Sequence, residues 1–284
     1  MRRVAFRVPL TAAVGNVTER SGWLVEGSAG WGECSPLPSW SAAERAAAER
    51  AAIEAATEGF PTALRTTVEV NAMVPRMPPA EAAELAKASR CATIKIKVGD
   101  DDGAARVRAV LAAVPGARIR IDANGAWRDA EEADAALRAF EAFDLEYVED
   151  PVPTLEELAV LRMRARMPLA AEASVRTIED AMRLRALDAA DVVVLKPQRM
   201  GGVRAALDAA YEAGVPAVAS SALETSVGLA AVLALAAALP EAPFAAGAGT
   251  ALLLARDVVH DPLIPKDGVL EVRRPAPDLS LVSA

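Results

Sequence analysis

The fold of this chain is constrained most strongly by a repeat that runs from residue 67 into the 240s, in which β-branched and helical segments alternate about every 25 residues. Eight segments are typical of strands, at residues 67–70, 93–98, 118–121, 146–148, 169–171, 191–195, 217–219 and 244–246. Seven segments between them are typical of helices, at residues 80–88, 102–113, 129–143, 155–166, 178–187, 203–213 and 226–238. Because parallel strands need crossover connections, which are usually helices, the repeat predicts an α/β fold with a closed parallel barrel. An open doubly wound sheet is the alternative, although no G-x-G-x-x-G dinucleotide motif follows the first strand.

The two ends of the chain do not follow this repeat. Residues 2–8, 23–26 and 31–33 are predicted strands, and residues 42–57 are a predicted helix that follows Ser41, a residue type favoured at helix N-caps. The C-terminal segment is rich in turn residues, contains one short predicted strand at 269–272, and is expected to pack against the N-terminal segment. The sequence therefore predicts two domains: an α+β domain made of residues 1–65 and 255–284, and a barrel made of residues 66–254.

Composition and charge exclude several classes of protein. The formal net charge is −8, so the chain lacks the basic surface that a nucleic-acid binder needs. Its most apolar stretch, residues 227–239, is too short to span a bilayer, and the N-terminus lacks the apolar core of a signal peptide. Two cysteines do not make a disulfide framework. We therefore expect a cytoplasmic protein that binds neither nucleic acid nor membranes, and no obligate protein partner is evident.

Three predicted strands in succession end in a carboxylic acid: Asp122, Glu149 and Glu172. The active sites of such barrels lie at the C-terminal ends of the strands, so these groups are expected to meet there. Three carboxylates in a confined space cannot all stay ionised without nearby positive charge. A hard divalent cation, Mg²⁺, would remove this repulsion and leave coordination positions for a small-molecule carboxylate substrate. The alternative is that each acid pairs with a surface arginine.

Lysine is rare in this chain, and its placement is informative. Only five of the 31 basic residues are lysines, and three of these lie at predicted strand ends: Lys95, Lys97 and Lys196. Because side chains alternate along a strand, Lys95 and Lys97 should both point into the barrel. A lysine can lose its proton and act as a base, whereas an arginine cannot. Amines beside a divalent cation are therefore suited to removing a proton alpha to a carboxylate, with structural ion pairs to the acids as the alternative.

Other polar and small residues lie at the same strand ends and are expected to contact the substrate. They comprise two neighbours of Asp122, two serines after the seventh strand and a glycine-rich turn after the eighth: Arg120, Asn124, Ser220, Ser221, Gly247, Gly249 and Thr250. Serine hydroxyls can donate hydrogen bonds to a carboxylate. Glycines let backbone N–H groups approach an anion closely. A simple role in chain turns is the alternative for the serines and glycines.

Together, these motifs resemble those of the enolase superfamily and, within it, the muconate lactonizing enzyme subgroup. The motifs are K-I-K at 95–97, D-A-N-G at 122–125, V-E-D-P at 148–151, V-L-K-P at 194–197, G-W-G-E-C-S-P-L-P at 30–38 and S-S-A-L-E-T-S-V-G at 220–228. The resemblance covers nearly the whole chain. It implies a (β/α)7β barrel, a capping domain built from both chain ends, and Mg²⁺ as cofactor.

Within the subgroup, the resemblance implies a lyase that removes water, in syn geometry, from 2-succinyl-6-hydroxy-2,4-cyclohexadiene-1-carboxylate to give o-succinylbenzoate, a step of menaquinone biosynthesis. It implies that Lys97 takes the alpha proton and returns it to the departing hydroxide. Lys196 would stabilise the enediolate from the other face, and Lys95 would tune Lys97. The metal ligands that it implies are Asp122, Glu149 and Glu172.

Two departures from the family pattern affect this assignment. The family usually has Asp-Glu-Ser at the fifth strand end, whereas this chain has Glu-Ala-Ser at 172–174, so the third ligand is one methylene longer. The chain is also shorter than most relatives, which predicts short loops and a reduced lid. Other functions of this scaffold stay open: N-succinylamino acid racemisation, muconate cycloisomerisation, and the non-catalytic binding of small acids. The turn at 247–250 lacks the acidic residues expected of a dipeptide epimerase.

Overall fold

The N-terminal part of the chain forms a three-stranded antiparallel sheet with one helix packed against it, in a computed structural model that describes residues 1–282. The strands are β1 (Arg2–Val14), β2 (Val17–Gly27) and β3 (Gly30–Cys34), and the helix is α1 (Ala42–Thr57). Helix α1 begins at the predicted residue because Ser41 and Glu44 form a reciprocal capping box. Strand β1 continues past its predicted end at residue 8, because Pro9 pairs with Glu19 across the hairpin.

After β4 (Thr67–Glu69), seven parallel strands follow, and their order in the sheet is their order in the chain. They are β5 (Asn71–Val74), β6 (Thr93–Lys97), β7 (Arg118–Asp122), β8 (Leu145–Glu149), β9 (Leu169–Ala171), β10 (Val192–Leu195) and β11 (Ala217–Ala219). The helices between and after them are α2 (Pro79–Ser89), α3 (Gly103–Ala113), α4 (Ala130–Leu137), α5 (Leu155–Arg162), α6 (Ile178–Leu187), α7 (Pro197–Met200), α8 (Val203–Ala213) and α9 (Ser226–Ala238). The segment at 246–247 joins the two sheet edges: Asn71 N–H donates to the Ala246 carbonyl at 3.0 Å, and Gly247 N–H donates to the Ala219 carbonyl at 2.8 Å. The predicted closed α/β barrel is confirmed.

Two of the predicted barrel strands were wrong in detail. The segment predicted as the first strand, 67–70, lies mainly in β4, which pairs antiparallel with β12 (Val269–Glu271) outside the seven-stranded sheet. The first barrel strand is instead β5. Strand propensity marks 67–70 but not β5, whose Asn71 and Ala72 are residue types depleted in strands, and it does not show which partner a strand pairs with. In the predicted eighth strand at 244–246, Ala246 forms an isolated bridge to Val70, and the next residue, Gly247, forms one to Ser220.

Two predicted helices end earlier than expected. The helix predicted at 129–143 stops at Leu137, and a short 3-10 helix (Arg138–Phe140) follows it. There Phe140 and Phe143 pack edge to face, 6.4 Å apart, as the chain turns back towards β8. The helix predicted at 155–166 ends at Arg162.

Strand alternation gives the barrel its two faces. The isoleucines of β6 and β7 are fully buried in the core that the strands share with the helices: Ile94, Ile96, Ile119 and Ile121. The residues that alternate with them point to the opposite side, into the barrel: Lys95, Lys97, Arg120 and Asp122. Local alternation therefore brings charged side chains of adjacent strands together.

The C-terminal segment contacts both parts of the molecule. Phe6 and Val8 of β1 share an apolar cluster with Val258 and Val259 of this segment and with Val282 of α10 (Leu279–Val282). Strand β12, by contrast, pairs with β4. The division into domains at residues 65 and 254 stays a prediction. Among residues 1–282, no helix combines the length and the apolar character that crossing a membrane requires.

Candidate active site

The C-terminal ends of the barrel strands enclose a cavity of about 620 Å³. The turn between β1 and β2, including Val14 and Val17, contributes part of its wall. Twelve of the thirteen residues predicted for the site line this cavity: Lys95, Lys97, Asp122, Asn124, Glu149, Glu172, Lys196, Ser220, Ser221, Gly247, Gly249 and Thr250. The structure thus brings these residues together, while their individual roles stay predictions.

On one side of the cavity, two lysines share two carboxylates. The parallel register places Lys97 beside Asp122, and Asp122 beside Glu149, on neighbouring strands. The Lys97 amine lies 2.6 Å from Asp122 Oδ2 and donates a second hydrogen bond to Asn124 Oδ1 at 2.7 Å. The Lys95 amine lies 3.0 Å from the same Asp122 oxygen and 2.9 Å from Glu149 Oε1. A single oxygen of Asp122 therefore links both amines.

The opposite side is built around Glu172, which follows β9, and Lys196, which follows β10, four strands around the barrel from β6. The Lys196 amine donates to Glu172 Oε2 at 2.7 Å, and the Arg199 guanidinium donates to Oε1 at 2.7 Å. The same guanidinium donates to Glu44 of α1 at 2.7 Å, which connects the site to the N-terminal helix. Sequence analysis missed Arg199, although its position three residues after Lys196, in the one-turn helix α7, was a usable signal.

The cavity carboxylates control the protonation of Lys95. Burial alone would lower the pKa of this amine, but the charges of Glu149 and Asp122 outweigh burial and raise the pKa well above its ordinary value. Burial likewise acts to raise the pKa of Asp122, whereas the adjacent Lys97 and Lys95 lower it. Lys95 and Asp122 are therefore held as an ion pair. The carboxylates thus keep a proton on Lys95.

The carboxylates around Glu149 fit a divalent cation. Glu149 Oε2 is buried and has no hydrogen-bond partner among residues 1–282. Burial and the charge of Asp122 raise the pKa of the Glu149 carboxyl group. Carboxylate oxygens of Glu149, Asp150 and Glu172 lie within 4.8 Å of one another. Hard oxygen donors grouped in this way, one of them unpaired, suit Mg²⁺.

Asp150 belongs to this acidic group but was not among the predicted ligands. Its two carboxylate oxygens accept the N–H groups of Glu172 and Ala173, both at 2.9 Å, which orients the chain where it leaves β9. Burial and the charge of Glu172 raise the pKa of Asp150 to about 8. The ligand set of Asp122, Glu149 and Glu172 stays a prediction, and Asp150 helps to position one of its members.

Arg120 is the predicted site residue that does not line the cavity. Its side chain is fully buried, with the guanidinium 4.8 Å from the ring centre of Tyr147 and 5.6 Å from that of Phe244. It donates hydrogen bonds to Glu146 at 2.6 Å and to the Ala245 carbonyl at 2.7 Å. Arg120 therefore lies deeper in the barrel than the acid that ends β7, and it connects β7 to β8 and to the segment that closes the barrel.

The seventh and eighth strand ends form a wall of small and polar residues. Ser221 Oγ and Thr250 Oγ1 lie 2.8 Å apart and share a hydrogen bond. A Cβ atom at Gly247 would lie only 2.5 Å from Ser220 Oγ, so glycine is needed for the two strand ends to approach. The hydroxyl groups of this wall are available to a ligand in the cavity.

Sequence analysis missed the cavity residues that β5 and the N-terminal part contribute. Met73, Pro75 and Arg76 lie at the end of β5 or just beyond it. The first barrel strand ends several residues later than predicted, so the polar groups that follow it lay outside the predicted site. Leu37 and Leu223 also line the cavity, but an apolar residue in a loop gives no chemical signal in the sequence.

Two family models match this chain. The model described as enolase N-terminal domain-like matches residues 5–56, and the one described as enolase C-terminal domain-like matches residues 79–280.

This chain belongs to the enolase superfamily.

Curated relatives specify its position within that superfamily. The chain is 51% identical, over 276 residues, to the o-succinylbenzoate synthase of Thermobifida fusca (strain YX), in an alignment that covers 95% of this chain and 87% of the relative. It is 42% identical, over 285 residues, to the o-succinylbenzoate synthase of Mycolicibacterium smegmatis (strain ATCC 700084 / mc(2)155), in an alignment that covers 98% of this chain and 87% of the relative. The resemblance to the dehydrating members of the subgroup is confirmed, and so is the expectation of a lyase.

The structural comparison agrees on the fold. The muconate lactonizing enzyme of Pseudomonas fluorescens aligns with a TM-score of 0.86, covering 99% of this chain and 97% of that one at 20% identity. At this identity the likeness concerns the fold alone. It confirms a TIM-like barrel with an N-terminal capping domain.

Proposed function

We propose that this member of the enolase superfamily dehydrates 2-succinyl-6-hydroxy-2,4-cyclohexadiene-1-carboxylate to o-succinylbenzoate, in syn geometry, with Mg²⁺ as cofactor and as a step of menaquinone biosynthesis. The observation that supports this best is the placement of Lys97 and Lys196 on opposite sides of one cavity, each paired with a carboxylate. A base on one face of a ring can remove a proton alpha to a carboxylate while a cation on the other face stabilises the developing negative charge. The identity to o-succinylbenzoate synthases points to the same reaction.

Glu149, together with Asp122 and Glu172, would hold the metal ion. The unpaired, buried Oε2 of Glu149 is the strongest support for this assignment, because a buried carboxylate oxygen without a partner is otherwise unfavourable. When bound, Mg²⁺ supplies positive charge beside a substrate carboxylate and makes the neighbouring proton more acidic.

Lys97 is the base in this proposal. A neutral amine keeps two N–H groups, and the Lys97 amine has two acceptors, Asp122 Oδ2 at 2.6 Å and Asn124 Oδ1 at 2.7 Å. Using both hydrogens in this way leaves the lone pair free to take the alpha proton. In a syn elimination the leaving hydroxyl group lies on the same face as the base. The proton taken by Lys97 therefore passes to the departing hydroxide and forms water.

The other two lysines act through their charge. Lys196 lies across the cavity, paired with Glu172, and would stabilise the negative charge that develops when the alpha proton leaves. Lys95 stays protonated between two carboxylates and balances their charge beside Lys97. Neither role requires a proton transfer.

The direct test is to incubate the purified protein with Mg²⁺ and the cyclohexadiene carboxylate and to measure o-succinylbenzoate by mass spectrometry. Product is expected from the wild type and should disappear with EDTA or in the Lys97→Ala variant. Lys87→Ala is the matched control, because Lys87 is an exposed residue of α2 that does not line the cavity.

The other reactions of the scaffold are tested by giving the same purified protein other substrates. Deuterium uptake from heavy water into N-succinylamino acids, without dehydration, would replace the proposal with a racemase. Conversion of muconate to a lactone would replace it with a cycloisomerase. Binding of small acids without any alpha-proton exchange would indicate a non-catalytic barrel.

A further inference from the structure

We propose that Arg76 binds the second carboxylate of the substrate, at the end of the succinyl chain, and thereby selects dicarboxylates over monocarboxylates. This inference rests on the proposed function, since the dehydratase substrate carries one carboxylate next to the proton that is removed and another at the end of a flexible chain. Arg76 was absent from the predicted site, and its place in the cavity follows from the position of β5.

The backbone after β6 holds the Arg76 side chain in place. Arg76 Nε donates a hydrogen bond to the Val98 carbonyl at 2.9 Å, one residue beyond Lys97. Gly99 follows with a φ of 93°, and a Cβ atom there would lie 2.9 Å from Arg76 Nη2. The guanidinium can therefore lie against this turn because Gly99 has no side chain. Its Nε is engaged, while Nη1 and Nη2 have no hydrogen-bond partner among residues 1–282.

Arg76 also differs from the other cations of the cavity in its charge environment. The three lysines are each paired with a carboxylate of the site. Arg76 forms no ion pair with any carboxylate in the described part of the chain. Asp100, an acid that is influenced by the charge of Arg76, is bound through both of its oxygens by Arg106, at 3.1 and 2.7 Å. The guanidinium is thus a positive charge in the cavity wall that is available to an incoming anion.

A carboxylate is the anion that fits this arrangement. A guanidinium binds a carboxylate through two parallel N–H···O hydrogen bonds, and the two free Nη atoms of Arg76 provide such a pair. The ring carboxylate must lie near the acids and lysines, where the alpha proton is removed. The second carboxylate therefore needs a separate cation. Met73 and Leu223, which also line the cavity, offer apolar contacts to the methylene groups between the two.

The test compares two ligands that differ only at the end of the chain. They are o-succinylbenzoate and 2-butyrylbenzoate, in which a methyl group replaces the second carboxylate. Dissociation constants are measured by isothermal titration calorimetry in Mg²⁺ for the wild type and for Arg76→Ala. We expect the wild type to prefer o-succinylbenzoate by about 10- to 100-fold, the range for a charge-assisted hydrogen-bonded pair, and Arg76→Ala to lose most of this preference. Binding of 2-butyrylbenzoate should change little.

Arg128→Ala is the matched control, because it removes the same charge from a loop that also follows a barrel strand. The Arg128 side chain is 84% exposed, pairs with Glu132 and does not line the cavity. This variant should keep the wild-type preference. Arg76→Lys, which keeps the charge but loses the planar pair of donors, should recover only part of it.

The possible failures can be told apart. If Arg76→Ala keeps the full preference while the wild type turns over substrate, the role of Arg76 is overturned and the proposed function stands. If Arg128→Ala loses the preference equally, a general charge effect replaces the specific contact. If the wild type neither forms nor binds o-succinylbenzoate, the proposed function and the role of Arg76 both fall.

Discussion

The Lys97 side and the Lys196 side of the cavity are built from different kinds of contact. The Lys97 side lies within the barrel, where the register of β6, β7 and β8 places its amines and acids together. The Lys196 side depends on a second part of the molecule, because Arg199 donates both to Glu172 and to Glu44 of α1. Strand register alone therefore builds one side, whereas the other also requires correct packing of the N-terminal helix.

A second contact between the N-terminal part and the barrel joins β3 to the start of α9. The buried Glu33 carboxylate accepts the Gly228 N–H at 2.9 Å, the Ser35 hydroxyl at 2.6 Å, and both the hydroxyl and the N–H of Thr225. A carboxylate at a helix N-terminus satisfies N–H groups that have no partner within the helix. The N-terminal sheet thus contributes both to one wall of the active site and to the packing of the last barrel helix.

The largest expected difference between the two sides concerns their lysines. In Lys97→Arg the guanidinium stays protonated, so kcat should fall by about 10²- to 10⁴-fold, the usual contribution of a general base. In Lys196→Arg the positive charge remains, so the fall in kcat should be at least roughly tenfold smaller than in Lys97→Arg. The measurement is the initial rate of o-succinylbenzoate formation. Equal losses in the two variants would mean that Lys196 also transfers a proton.

Metal binding should depend on the Lys196 side through Glu172. Glu172→Gln removes a charged oxygen donor and should weaken Mg²⁺ binding by about 100-fold. This is the upper end of the loss of metal affinity seen when a residue that only supports a ligand is mutated. Titration calorimetry with Mg²⁺ alone measures this without turnover. Glu157→Gln, on the outer helix α5, is a suitable control. Unchanged affinity in Glu172→Gln would remove Glu172 from the ligand set.

The interface at Glu33 should make stability depend on pH. Burial raises the pKa of Glu33 to about 7, against the effect of its hydrogen bonds from Ser35 and Thr225. The folded state then binds a proton more tightly than the unfolded state, so the stabilisation is present at low pH and is lost as pH rises through 7. Raising the pH from 5.5 to 8 should therefore lower the contribution of Glu33 to the free energy of unfolding by about 2 kcal/mol.

Urea denaturation of the wild type and of Glu33→Gln at the two pH values measures this contribution. The variant is expected to be less stable overall, because an amide cannot accept all of the hydrogen bonds that the carboxylate accepts. Its free energy of unfolding should nevertheless change less between the two pH values. The same pH dependence in both proteins would assign the titration to another group.

The smallest effect is expected where the N-terminal helix reaches the site. Glu44→Gln weakens the link from α1 to Arg199 without touching the cavity, and we expect Mg²⁺ affinity to fall by roughly tenfold or less. Glu49→Gln, on the same helix, changes a half-exposed side chain that pairs with Arg3 and not with the site, and it should leave the affinity unchanged. An effect as large as that of Glu172→Gln would show that α1 packing, rather than strand register, controls the whole site.

The amino-acid sequence by itself determined the elements whose signals are local. Helices α1, α6, α8 and α9 begin and end at the predicted residues, because periodicity and capping act within a few positions of the chain. The charged residues at alternate positions near the ends of β6 and β7 were likewise visible as a pattern of period two.

Only the tertiary structure decided what depends on distant partners. The pairing of β4 with β12, some two hundred residues later in the chain, placed most of the segment at 67–70 outside the seven-stranded sheet. The first strand of that sheet is therefore β5, and Arg76 lies just beyond its end. Depth within the barrel separated Arg120 from the cavity that its neighbours line. Arg199 reaches Glu44 from 155 positions away. Strand partners, depth and contacts between distant segments arise when the whole chain packs, so no local pattern specifies them.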